Sequence, residues 1–180
     1  MGDALTVRRV TPDDAAAIAA IYAPYVRDTA ITFELDPPDE AEMRQRIVET
    51  TGRFPWLVAE QDGVIVGFAY ATTFRTRAAY RWIVETTVYV AMGQHGRGIG
   101  RALYAPLLDQ LRAQGFCAAI GAIALPNTGS VAIHEAMGFV RSGVYQKVGY
   151  KLGGWHDVGL WQIDFGERPA DPQEPLLPPN

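Results

Sequence analysis

Ile83-Val84-Glu85-Thr86-Thr87-Val88-Tyr89-Val90 and, past Ala91-Met92-Gly93, Gln94-His95-Gly96-Arg97-Gly98-Ile99-Gly100-Arg101-Ala102-Leu103 form the stretch that decides the fold. A β-branched run enters a glycine-rich turn. The turn opens a helix whose Leu103, Leu107, Leu108 and Leu111 make an apolar stripe at a period near 3.6. The glycines free the backbone to take positive φ and to approach a ligand closely. The first amides of such a helix lack intrahelical partners and sit at the positive end of its dipole. The stretch therefore predicts strand, turn and a helix N-terminus suited to an anion, phosphate above all.

The type of phosphate loop follows by comparison. A P-loop needs Gly-Lys-Ser/Thr, and no lysine follows these glycines. The dinucleotide fingerprint G-x-G-x-x-G fails in both frames, because Arg101 or Leu103 stands where the third small residue belongs. Its acidic residue about 20 positions on is also missing; the chain there reads Phe116-Cys117-Ala118-Ala119-Ile120. The spacing resembles instead the R/Q-x-x-G-x-G/A signature of the GNAT acetyltransferase superfamily, whose loop holds the pyrophosphate of acetyl-CoA. His95 departs from that signature, but backbone N–H groups supply most of such a grip.

Composition narrows the class. The 180 residues are 48% apolar, enough for one domain with its own core. A net charge of −4 without runs of Lys or Arg argues against nucleic acid. Cys117 is the single cysteine, so neither an intramolecular disulfide nor a cysteine zinc cluster is expected, as in a reducing compartment. Met1-Gly2-Asp3-Ala4-Leu5 lacks the order of a signal peptide, and the longest apolar run, Phe116 to Leu125, is too short to span a bilayer. A cytoplasmic protein with no membrane partner is the expectation.

Leu5 to Val10 alternates as a strand. Thr11-Pro12-Asp13-Asp14 reads as a helix start, with Ile18, Ile21, Tyr22 and Tyr25 on the apolar face. Residues 29–38 form a loop carrying Phe33. A second helix covers Glu40 to Thr50, with Met43, Ile47 and Val48 on one side. Two apolar runs, 56–60 and 64–70, flank Asp62-Gly63 as a hairpin. Cys117 to Ala124 reads as a strand buried on both faces, Asn127 to Met137 as a short helix, and Val140 to Phe165 as two long strands joined near Gly149 to Gly154. The single domain ends at residue 166; residues 167–180 carry five prolines and no periodicity, and are expected to be disordered.

The order β-α-α-β-β-β-α-β-α-β-β is similar to the GNAT fold, an α/β architecture with a mixed sheet. The resemblance implies a splay between strands 4 and 5 that admits the cofactor's pantetheine arm. On the fourth strand, Glu85, Thr87 and Tyr89 point one way and Val84, Thr86, Val88 and Val90 the other. A carboxylate beside a thioester site can take the proton an amine must lose before it attacks. Burial would raise its pKa toward a useful range; the plainer reading is a solvent-facing strand glutamate. His134 is the second catalytic candidate. It lies where many GNAT enzymes have a tyrosine thought to protonate the thiolate, and it is placed to donate a proton or to orient water; a packed helix histidine is the plainer reading. His95 reads as loop structure. His156 reads as a residue bonded to Asp157 or as part of a subunit contact, and the scattered histidines make no metal site.

Arg75 and Arg77 precede the central strand, and guanidinium is the group best shaped to clamp a carboxylate; solvated charge is the alternative. The strings Phe54 to Glu60, Glu85 to Val90, Leu125-Pro126-Asn127, His134-Glu135-Ala136-Met137-Gly138-Phe139 and Trp155-His156-Asp157-Val158-Gly159-Leu160-Trp161 resemble the phosphinothricin N-acetyltransferase family, with its methionine sulfoximine and sulfone relatives. That resemblance implies acetyl transfer to the α-amine of a small amino acid or analogue, and a homodimer. It puts Phe33, Arg75, Thr76, Arg77, Tyr80, Glu85, Thr86, Thr87 and Tyr89 near the substrate. It puts Val88, Tyr89, Val90, Gly96, Arg97, Gly98, Ile99, Gly100, Arg101 and Asn127 on acetyl-CoA. Two other classes stay open: a non-catalytic acyl-CoA-binding module, and a peptide or protein N-acetyltransferase.

Overall fold

The computed structural model describes residues 5–178, so the first four residues and the last two of the tail lie outside the described residues. Seven strands form one sheet in the order β1-β2-β3-β4-β5-β7-β6. They are β1 (Thr6–Arg9), β2 (Trp56–Gln61), β3 (Val64–Thr73), β4 (Ile83–Val90), β5 (Ala118–Leu125), β6 (Val140–Lys151) and β7 (Gly154–Asp164). All neighbours are antiparallel except β4 and β5. The Asp62-Gly63 hairpin appears where the sequence puts it, both residues at positive φ.

The parallel pair holds for only one short stretch, Ile83↔Ala118, Val84↔Ala119 and Glu85↔Ile120. Thr86–Val90 and Gly121–Leu125 then diverge. This is the predicted splay, and it begins at Glu85.

Helices cover both faces. α3 (Ile99–Ala113) buries Leu103, Leu107, Leu108 and Leu111 against Val84, Ala119 and Ile123, as its leucine period predicts. Each such side chain contributes roughly 1.5–3 kcal/mol over an exposed one. α4 (Thr128–Ala136) lies beside it. α1 (Ala15–Asp28) and α2 (Glu40–Thr51) pack Ile18, Ile21, Met43 and Ile47 on Trp56, Val58 and Phe68 of the opposite face.

The helix start at Thr11 stands where the sequence puts it, as a 3-10 turn over Pro12–Asp14, whose Asp14 carboxylate receives the Thr11 N–H at 2.7 Å and the two Arg8 Nη atoms at 2.8 Å. Val48 is 57% exposed rather than buried with Ile47, since the next residue on a helix lies about 100° round its axis. Residues 166–178 take no helix or strand and are held to the body by hydrogen bonds; the last two residues of the tail expected to be disordered lie outside the described residues. Leu176 N–H donates to Gln114 O at 2.7 Å, and Trp82 Nε1 donates to Gln173 O at 2.8 Å. Proline denies a segment ladder bonds along its length without preventing it from docking.

Candidate active site

The divergence of β4 from β5 opens a cleft of about 790 Å³. Thr86–Val90 form its floor, the turn Gln94–Arg101 one end, α4 from Asn127 to His134 one side, and Ile31–Glu34 the other end. Gly98 caps α3 at φ 80°, a conformation that other residues adopt at a cost, so the turn can aim amides of the first helical turn into the cleft. A Cβ on Gly100 would meet Ile133 of α4 at 2.5 Å. Strand edge without a strand partner therefore runs directly into a helix N-terminus. An extended chain ending in phosphate fits that combination, by pairing along β4 and ending on the amides.

Every residue assigned to the cofactor lines this cleft except Arg97, whose guanidinium turns to the Gln94 side chain. Asn127 caps α4 by accepting the Ser130 N–H at 3.1 Å, which leaves its side-chain NH₂ as the free donor. His95 has a local role. Tyr25 donates its hydroxyl hydrogen to Val90 O at 2.6 Å, so His95 Nε2–H is the donor to Tyr25 at 2.7 Å and ties the turn to α1.

Glu85 stands at the last paired position, between Thr72 of β3 and Ile120 of β5. Its carboxylate has no hydrogen-bond or ion-pair partner among the described residues. Burial alone pushes its pKa above the ordinary carboxylate range. Thr87 and Tyr89 share its face, and Tyr89 packs edge-on against Tyr22 and Tyr25 at 4.9 Å each. Burial, with Tyr22 and Tyr70 adding to it, holds the Tyr89 phenol well above its usual value, so it stays neutral. Thr86 points to the other face, with Val84, as the strand period requires.

His134 is buried, and both its ring nitrogens are engaged. A carbonyl can only accept, so Nδ1–H donates to Ser130 O at 2.7 Å, and Nε2 receives the Tyr104 hydroxyl at 2.9 Å. Burial keeps the imidazole below its usual pKa. The ring seats directly against β5, where a Cβ on Gly121 would lie 2.4 Å from Nε2. His156 bonds Lys151 O at 3.0 Å rather than Asp157, whose carboxylate is taken by Lys147 N–H at 2.8 Å.

Of the residues assigned to the substrate, the cleft brings together Phe33, Glu85, Thr86, Thr87 and Tyr89. Arg75, Thr76, Arg77 and Tyr80 do not line it; the first three border a second cavity of about 620 Å³. The Arg75 guanidinium lies over the Phe74 and Tyr80 rings and donates to Tyr145 of β6 at 3.0 Å.

The sequence reading missed the clamp that holds the Phe33 loop. Glu34 receives Tyr22 at 2.9 Å and both Arg46 nitrogens at 2.8 and 2.9 Å, and Lys151 Nζ donates to Thr32 O at 2.8 Å. These partners come from α1, α2 and β6, and no local spacing announces them. The one available signal was the pair of tyrosines on the apolar face of α1, whose hydroxyls need partners once buried.

An unpaired strand edge that leads into a glycine turn at a helix N-terminus, with a half-buried carboxylate at the branch point, is the arrangement suited to an acyl-CoA-dependent N-acyltransferase. The comparisons with known proteins sharpen this. Residues 7–160 match the acetyltransferase (GNAT) domain family. The chain is 43% identical over 172 residues to phosphinothricin N-acetyltransferase of Streptomyces viridochromogenes, covering 96% of this chain and 93% of that one. It is 31% identical over 177 residues to the L-methionine sulfoximine/L-methionine sulfone acetyltransferase of Salmonella typhimurium, covering 92% and 98%. The crystal structure of a phosphinothricin acetyltransferase from Sinorhizobium meliloti in complex with acetyl-CoA superposes with a TM-score of 0.91 at 37% identity, covering 97% and 96%. The chain belongs to the GNAT acetyltransferases and, within them, to the phosphinothricin and methionine sulfoximine N-acetyltransferase family. It is an N-acetyltransferase, and its acetyl donor is acetyl-CoA.

Proposed function

We propose that this enzyme acetylates the α-amine of a small free amino acid or analogue of the phosphinothricin, methionine sulfoximine or methionine sulfone type, as a cytoplasmic homodimer. The observation that carries the reading is Glu85, an unpartnered, desolvated carboxylate at the point where β4 leaves β5. Bound acetyl-CoA supplies an activated acetyl thioester. Glu85 takes a proton from the substrate ammonium, directly or through a water, and the free amine attacks the acetyl carbon. Thr87 and the neutral Tyr89 offer hydroxyls beside it. Phe33, held by the Glu34 and Lys151 contacts, walls the acceptor end and favours a small molecule over an extended peptide. Arg75 and Arg77 are assigned to the substrate carboxylate. His134, with both nitrogens engaged, forms a neutral wall of the cleft and is not the proton donor to the thiolate.

The dimer assignment is supported by β6, a 12-residue strand at the sheet edge. The β6–β7 hairpin displays Tyr150, Leu152 and Trp155, the last 63% exposed. Long apolar edges of this kind are normally covered. Thiol release from acetyl-CoA, measured with a panel of free amino acids, methionine sulfoximine, phosphinothricin and short peptides, tests the reading. Turnover is expected with the free analogues and not with peptides. Turnover confined to peptides would overturn the substrate assignment in favour of a peptide N-acetyltransferase, and none with any amine would favour a binding module.

A further inference from the structure

The segment past residue 170 repeats proline every third position, at 172, 175 and 178. These three prolines are half-buried against the body, while Asp171, Gln173, Glu174, Leu176 and Leu177 between them are exposed. A burial period of three is that of a proline-stiffened extended strand, and such a strand has little conformational freedom to lose when it docks. Its contacts divide into two groups. At its far end Gln114, buried at the end of α3, anchors it in both directions: Leu176 N–H donates to Gln114 O, and Gln114 Nε2 donates to Leu176 O, each at 2.7 Å. Ahead of that anchor it holds the linker between β3 and β4. Gln173 O accepts from Trp82 Nε1 at 2.8 Å, and Glu174 accepts from Arg81 Nη1, the guanidinium lying over the Trp82 ring. Arg81 Nε is buried without a hydrogen-bond partner among the described residues.

This linker carries Arg75 and Arg77, and residues 174–177 face both arginines across the same 620 Å³ cavity. We propose that the C-terminal segment is a strap whose Gln173 and Glu174 are positioning residues: they fix the arginine-bearing linker so that it meets the carboxylate of the amino-acid substrate. The inference rests on the carboxylate assignment made above for Arg75 and Arg77. The strap lies away from the glycine turn, so it affects the acceptor and not acetyl-CoA.

A variant ending at Ala170 tests this, compared with the full chain in steady-state kinetics and in amide hydrogen exchange. The KM for the amino acid is expected to rise roughly tenfold, as displaced positioning groups do, while kcat and the KM for acetyl-CoA hold. Exchange of residues 74–82 should quicken while that of residues 83–90 does not. An unchanged amino-acid KM, unchanged exchange over 74–82, or an equal rise in both KM values overturns the proposal. Should the full-length enzyme acetylate no amino acid, the substrate reading fails, and the exchange comparison still decides the strap. If the shortened chain does not fold, Glu174→Lys, which sets a cation against Arg81, should give the same split in KM, and Glu174→Asp should restore it.

Discussion

At the scale of single residues, one carboxylate sets the character of the site. A glutamate on a central strand ordinarily faces open solvent or pairs with a cation; Glu85 is half-buried in the cleft with no ion-pair partner among the described residues, and its raised pKa follows from burial. The linkage has a definite sign. A group whose pKa is higher in the folded chain stabilises the fold when protonated, below about pH 4, and that contribution is lost as pH rises through the folded value. At neutral pH the ionised Glu85 therefore opposes folding. Glu85→Gln should raise the melting temperature at pH 7.5, with the gain vanishing near pH 4, as thermal melts at the two pH values will report. An equal gain at both would mean that packing, not charge, is responsible. His134 has the opposite sign: burial lowers its pKa, so it favours the fold above about pH 6.5 and opposes it as acid charges the unfolded chain. Glu85 was legible as a candidate because strand alternation and the adjacent turn both point to it. The state of His134 was not, because its hydrogen bond to Tyr104 spans 30 residues of sequence.

At the scale of elements, the glycine turn and α3 act as one unit. Gly98 sits at φ 80°, where an added Cβ has open space around it but a backbone conformation that side chains rarely adopt. Gly98→Val should therefore misplace the helix amides while leaving the Leu103–Leu111 stripe in the core. Acetyl-CoA binds the folded state alone and should raise the melting temperature of the wild-type chain by mass action. The variant is expected to lose most of that rise; a rise of full size would place the pyrophosphate elsewhere. Elements were the most readable level, since the leucine period, the Asp62-Gly63 turn and the β-branched central strand each carry a local signal. What escaped was loop anchoring. Glu34 is held by Arg46 and Tyr22, and Thr32 by Lys151, through pairings that exist only after α1, α2 and β6 have assembled.

At the scale of the whole molecule, the sheet edge meets the arginine-bearing linker. Arg75, assigned to the substrate, donates to Tyr145 on β6, the edge strand of the proposed subunit contact. Trp155→Arg should shift the chain from dimer to monomer in sedimentation and raise the KM for the amino acid more than that for acetyl-CoA. A wild-type chain that sediments as a monomer would contradict the dimer. The order of elements was legible from sequence, and the splay was what the resemblance to the GNAT fold implied. The meeting of linker, strap and edge strand was not, since each part is unremarkable by itself. The central claim is that acetyl transfer in this cleft runs through Glu85, and the pH dependence of kcat/KM in wild type and Glu85→Gln tests it most directly. The wild-type rate should rise with pH through an ionisation above the ordinary carboxylate range. The variant should fall by about 10²–10⁴ at pH 7 and recover part of the loss at alkaline pH as free amine accumulates. A Glu85→Gln enzyme with near wild-type kcat/KM at pH 7 would contradict the account.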